Sequence, residues 1–216
     1  MTEFVEKLQG KQRISWDELF MSTTELIAKR STCMRIKTAA ILVKDTRIIS
    51  MGYNGTLSGN KHCSELCKNY WNNNNNNHYT FEDFLHSDEF FKMHHEIISP
   101  YEVHGETNAI LYASKNGIST SGTTMYTLYS PCMNCAKSII ASGIEKVFYK
   151  QCYEREKHAI DFLKDNKVVC VSLEESSKKF DWYDKSALRS FLIYNYKELD
   201  MNLHVDSEGR ECFTFV

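Results

Sequence analysis

Between His104 and Cys135 the chain sets an imidazole, a carboxylate and two thiols in a fixed order. It reads His104-Gly105-Glu106, then 24 residues, then Pro131-Cys132-Met133-Asn134-Cys135. One imidazole and two thiolates suit Zn²⁺, and three protein ligands leave a fourth position for water. Structural zinc normally takes four protein ligands, so a set of three points to catalysis. Glu106, two residues past the histidine, is free to move protons. The fold must therefore bring two segments together around one metal.

Both segments carry helix signals. Residues 103–116 place Ala109, Ile110, Leu111 and Ala113 on an apolar face, and Gly117 follows as a stop. Pro131 stands ahead of a second helix over 132–142, which ends at Gly143. A strand is predicted between them, at 123–128. The ligands thus fall at two helix N-termini, whose positive ends favour negative charge.

The rest of the chain is read around this centre. Residues 1–14 form an N-terminal arm. Ser15 and Glu18 form a capping box that opens a helix to about residue 30. A strand over 38–43, a turn at Asp45-Thr46 and a return strand over 47–53 make a hairpin. Residues 60–100 read as an irregular insertion. Within it, six asparagines at 72–77 form a low-complexity loop tip, and 81–93 form a short aromatic helix over a satellite cluster. Strands at 146–150 and 168–173 flank a helix over 154–166. A domain over 15–175 follows, with a C-terminal extension over 176–216 that includes a helix at 186–199. The alternation predicts a three-layer α/β/α fold with a mixed sheet.

Composition narrows the class. The 216 residues carry 26 basic and 28 acidic side chains, a formal charge of −2, so no global basic footprint argues for nucleic acid. No segment has signal-peptide or membrane-spanning character. Eight cysteines without such a signal read as reduced thiols, and the location expected is the cytoplasm.

With these motifs in view, the chain resembles the zinc-dependent cytidine/deoxycytidylate deaminase family, in particular its phage-type dCMP deaminases. The segments that carry the resemblance are Ala28-Lys29-Arg30-Ser31-Thr32-Cys33, Gly52-Tyr53-Asn54-Gly55-Thr56, His104-Gly105-Glu106-Thr107-Asn108-Ala109-Ile110 and Ser130-Pro131-Cys132-Met133-Asn134-Cys135-Ala136-Lys137. It spans about residues 16–173. The resemblance implies a five-stranded sheet and hydrolysis of dCMP to dUMP and ammonia. It also implies a homohexamer activated by dCTP with Mg²⁺ and inhibited by dTTP. Two departures stand out: Gly105 where the family usually has Ala, and Thr38-Ala39-Ala40 where it usually has Val-Gly-Ala.

The resemblance assigns Asn54 to the sugar and Tyr153 to the substrate, although Asn-Gly is also a common turn pair. Arg35 and Lys37, with Arg30, are candidates for the phosphate. Gly52 and Tyr53 fall in the effector region, and Lys115 is placed at a subunit interface. Cys33, Cys63, His94 and Glu102 match a structural zinc set, with His62, His95 and Cys67 as competing ligands. Cys152, Cys170 and Cys212 read as plain thiols. The alternatives are a deaminase of a free nucleoside or of a base within nucleic acid, and a non-catalytic zinc scaffold.

Overall fold

The computed structural model describes residues 14–74 and 80–173 with their side chains, and the backbone of 201–205 and 211–215. Two compact units divide the chain, Met1–Leu173 and Glu174–Val216.

The first unit opens with helix α1, Trp16–Ala28, where the Ser15 hydroxyl accepts from the Glu18 N–H. That is the Ser15 half of the expected capping box. Strands β1 (Ala39–Lys44) and β2 (Arg47–Tyr53) then pair antiparallel. Asp45 and Thr46 both take left-handed backbone, with φ of 48° and 59°, as a two-residue hairpin turn requires. β1 is buried from Ala39 to Val43, because it lies inside the sheet with layers on both faces. β5 (Thr124–Tyr129) lies antiparallel to β1, and β6 (Lys146–Gln151) and β7 (Val169–Ser172) follow in parallel. The resulting five-stranded mixed sheet has the order β2-β1-β5-β6-β7.

Helices flank this sheet. One face packs Ala40, Leu42, Met125 and Val147 against residues of α5 (Gly105–Lys115), α6 (Met133–Ala141) and α7 (His158–Asp165). The other face buries Ile41, Val43 and Tyr126 under Phe20 and Met21 of α1.

The insertion bears out the short helix expected over 81–93, as two pieces, and is otherwise more regular than expected. It folds into α2 (Cys63–Asn74), α3 (Phe81–Leu85) and α4 (Asp88–Met93), then a π-turn over His94–Ile98 and a 3₁₀ turn over Ser99–Tyr101. Two-residue strands β3 (Gly55–Thr56) and β4 (Glu102–Val103) pair at its base. It has its own core of Cys33, Cys63, Cys67, Phe84, Phe90, Met93 and Ile98. Asn72 to Asn74 end α2 instead of forming a loop; the remainder of the asparagine run lies outside the described residues.

In the second unit β8 (Met201–Val205) and β9 (Glu211–Phe215) pair antiparallel. The helix expected over 186–199, and residues 1–13 of the arm expected over 1–14, lie outside the described residues. Among the described residues no helix is long and apolar enough to cross a membrane.

Candidate active site

His104 and Cys132 are the N-cap residues of α5 and α6, so both ligand segments sit at helix starts. The His104 Nδ1 is 3.4 Å from the Cys132 Sγ and 3.4 Å from the Cys135 Sγ. Nitrogen and sulfur on one tetrahedral zinc stand about 3.5 Å apart, given ordinary Zn–N and Zn–S lengths. The donor set therefore fits zinc in both chemistry and spacing. Cys135 is buried and His104 exposed, so the cluster opens to solvent on one side.

Glu106 lies buried beside it. Its Oε1 accepts a hydrogen bond from the Thr127 hydroxyl of β5 at 3.3 Å, and its Oε2 is 3.7 Å from the Cys135 Sγ. Burial pushes the Glu106 carboxyl up from the ordinary carboxylate range. Contact with Cys132 raises the His104 imidazole to about 9. The Cys132 thiol is held down to about 4, chiefly by Cys135 and then by His104. Proton sharing among three close donors is the state that a bound cation replaces.

The α5 helix rests on the sheet by backbone contact. A Cβ added at Gly52 of β2 would meet the Ala109 N at 2.3 Å and the Gly105 O at 2.5 Å. A Cβ at Gly105 would meet the Ala39 Cα at 2.9 Å. Gly105 is thus required by a close approach to β1. The Asn108 amide also donates to the Tyr53 carbonyl at 2.9 Å, fixing α5 to the end of β2.

A second cluster forms in the insertion core. Cys33, Cys63, His94 and Glu102 bring their donor atoms within 4.8 Å of one another. The Cys33 Sγ is 3.3 Å from the His94 Nε2 and 3.6 Å from the Glu102 Oε2. The His94 Nδ1 and the Glu102 Oε1 are buried without hydrogen-bond partners. Burial raises the Glu102 carboxyl. Four mixed N, O and S donors in a closed pocket fit a structural zinc. Of the competing ligands, Cys67 touches the Cys63 Sγ at 3.8 Å, His62 sits by Thr32 at the surface, and His95 is exposed.

The Asn54 side chain is engaged at both ends: Oδ1 accepts from the Thr38 N–H at 2.9 Å and Nδ2 donates to the Ile36 carbonyl at 2.8 Å. One N–H and one lone pair remain for a ligand. The Arg35 guanidinium sits 5.8 Å from the Phe91 ring centre, and Lys37 is exposed on the same loop. Tyr153 is tied beside Cys132, its N–H donating to the Ser130 hydroxyl at 2.7 Å. Lys115 lies at the opposite end of α5 from Glu106, about 13 Å along the axis. A hollow of about 340 Å³ at that end, lined by Ile110, Ser114, Ser119 and Ser142, holds none of the candidate ligands.

Sequence reasoning missed Thr127, Ser31 and Glu156. The Glu156 carboxylate accepts from the Met133 N–H at 3.2 Å and so caps α6 beside Cys132. Thr127 was readable only as a strand former, and Glu156 carried no local signal.

A three-donor metal cluster with a buried carboxylate, at paired helix starts on a five-stranded α/β/α sheet, defines a zinc-type hydrolytic deaminase. The chain belongs to the cytidine and deoxycytidylate deaminase family and is an enzyme: the family model for the cytidine and deoxycytidylate deaminase zinc-binding region matches residues 14–151. It is 36% identical over 150 residues to the deoxycytidylate deaminase of Enterobacteria phage T4, covering 63% of this chain and 78% of that one. It is 34% identical over 163 residues to ComE operon protein 2 of Bacillus subtilis, covering 76% and 74%. Among solved structures, the dCMP deaminase of cyanophage S-TIM5 in complex with dCMP and dUMP superposes with a TM-score of 0.56 at 29% identity, covering 75% of this chain and 99% of that one.

Proposed function

We propose that this chain hydrolyses dCMP to dUMP and ammonia, with His104, Cys132 and Cys135 holding Zn²⁺. The observation that carries the reading is the buried Glu106 beside three zinc-spaced donors. Similarity to a cyanophage enzyme that holds dCMP and dUMP supports the choice of substrate. Zinc, when bound, supplies a Lewis acid that makes water nucleophilic near neutral pH. Glu106 would take one proton from the attacking water and pass it to the ring nitrogen, then take the second from the new C4 hydroxyl and pass it to the amine, which leaves as ammonia. Its raised pKa suits both directions of transfer. The Thr127 hydroxyl orients the carboxylate. Asn54 offers its remaining amide N–H to the sugar, Tyr153 lines the pocket, and Arg35 and Lys37 serve the phosphate.

Cys33, Cys63, His94 and Glu102 hold a second, structural zinc that pins the insertion to the domain. Regulation by dCTP with Mg²⁺ and by dTTP acts through the end of β2 at Gly52 and Tyr53. Lys115 lies at an interface of a homohexamer. The position of Tyr53, exposed at the sheet edge and tied to α5 through Asn108, supports a link from effector to Glu106. The catalytic domain is 15–175, the tail 176–216 is an extension, and the enzyme works in the cytoplasm, supplying dUMP for thymidylate synthesis.

The test is ammonia release from purified protein with dCMP, deoxycytidine and dCTP at equal concentration, each with and without dCTP or dTTP and Mg²⁺. Turnover of dCMP that rises with dCTP is the expected result. Inert dCMP beside a reactive nucleoside or oligonucleotide overturns the substrate assignment and leaves the zinc chemistry standing.

A further inference from the structure

Two metal-type clusters share one short piece of chain. β4 carries Glu102 of the second cluster, and His104 of the first follows one residue after the strand ends. Its partner β3 begins directly after Asn54, with Gly55 opposite Val103 and Thr56 opposite Glu102. The strand that links the clusters is therefore paired to the two residues that directly follow the one read as the sugar contact.

A second connection runs through Ser31, which is 3% exposed. Its hydroxyl donates to the Asn54 carbonyl at 2.9 Å and accepts from the Cys33 N–H at 3.2 Å. Cys33 is a donor of the second cluster. The Asn54 N–H in turn donates to the Thr38 carbonyl at 3.1 Å, while its side chain spans Ile36 and Thr38. The hydroxyl has used its only proton and one acceptor site, both on buried backbone. Alanine would leave a buried carbonyl and a buried N–H without it.

We infer that Ser31 is a positioning residue that ties the second cluster to Asn54 and so sets nucleotide affinity, leaving the proton-transfer step alone. The inference rests on the reading of Asn54 as a substrate contact. The groups that meet the Glu106 carboxylate are Thr127 of β5 and Cys135 of α6, and neither is a partner of the Ser31 hydroxyl.

The test compares wild type, S31A and S31T, each loaded with zinc. For S31A the expected result is a KM for dCMP raised roughly tenfold, kcat within about twofold, unchanged metal content, and faster amide exchange at Cys33 and Asn54. S31T, which keeps the hydroxyl, restores KM. An unchanged KM, or a kcat that falls together with bound metal, overturns the proposal. Should S31A fail to fold, S31C keeps the volume with a poor hydrogen-bonding atom and is judged by the same readouts. Amide exchange needs no turnover, so the two readings fail separately. A wild-type chain inert to dCMP sinks the functional assignment, and unchanged exchange at Asn54 in S31A sinks this one.

Discussion

At the residue scale the chemistry converges on Glu106. Replacing it with Gln keeps size and hydrogen bonding to Thr127 but removes the proton carrier. E106Q should retain zinc and melting temperature while losing at least about 10²–10⁴-fold in kcat; near-normal turnover would refute the role given to Glu106. Histidine, glutamate and paired cysteines were legible because few other arrangements need them in that order. Thr127 was not, since a threonine in a strand looks the same whether or not it meets a carboxylate. Tyr126 gives a separate test. It is buried, and its hydroxyl donates to the Asp17 carboxylate at 2.5 Å. Burial first, then Asp17, pushes the phenol above its usual value of about 10. The fold thus favours the protonated phenol. Its stabilising effect is complete below pH of about 10 and is lost as pH climbs toward the raised folded value. Denaturant titrations in alkaline buffer should show this loss, and Y126F should flatten it; equal slopes for both proteins would exclude Tyr126 as the source.

Elements differ in how openly the sequence announces them. The β1–β2 hairpin was readable because an apolar run, two turn residues and a return strand follow one another without interruption. Thr46, however, is β-branched and left-handed at φ 59°. T46G should raise stability by about 1 kcal/mol, measured as a shift of the denaturation midpoint; a loss would mean that the Thr46 side chain makes an interaction worth more than its strain. In the insertion the short helix expected over 81–93 is present but split into α3 and α4, and the break was not legible for a physical reason. α3 and α4 span 5 and 6 residues, too short for a 3.6-residue period to emerge. Their start signals were present: Thr80 and Asp83 form a reciprocal capping box, and Ser87 caps α4. The asparagines at 72–74 stay helical because α2 is already propagating from Cys63.

At the scale of the whole molecule, sheet and layers followed from helix–strand alternation, whereas the shared core of the insertion depended on contacts between residues 33 and 102 that no local pattern encodes. Removal of metal should separate the two clusters. The zinc-loaded chain is expected to carry two zinc ions, and prolonged chelation should open residues 60–101 to protease before the sheet unfolds. C63S should carry one zinc ion and show the same early cleavage; a single zinc in the wild type with an equally resistant insertion would contradict the structural role. The glycine contacts have one more consequence. At Gly52 and Gly105 the helix bearing Glu106 meets β2 and β1 with no side chain between them. There is nothing there to trim, so variation elsewhere in the core can lift this helix from the sheet but never lower it. The reactive carboxylate sits against a mechanical stop, and evolutionary drift can displace it in one direction only.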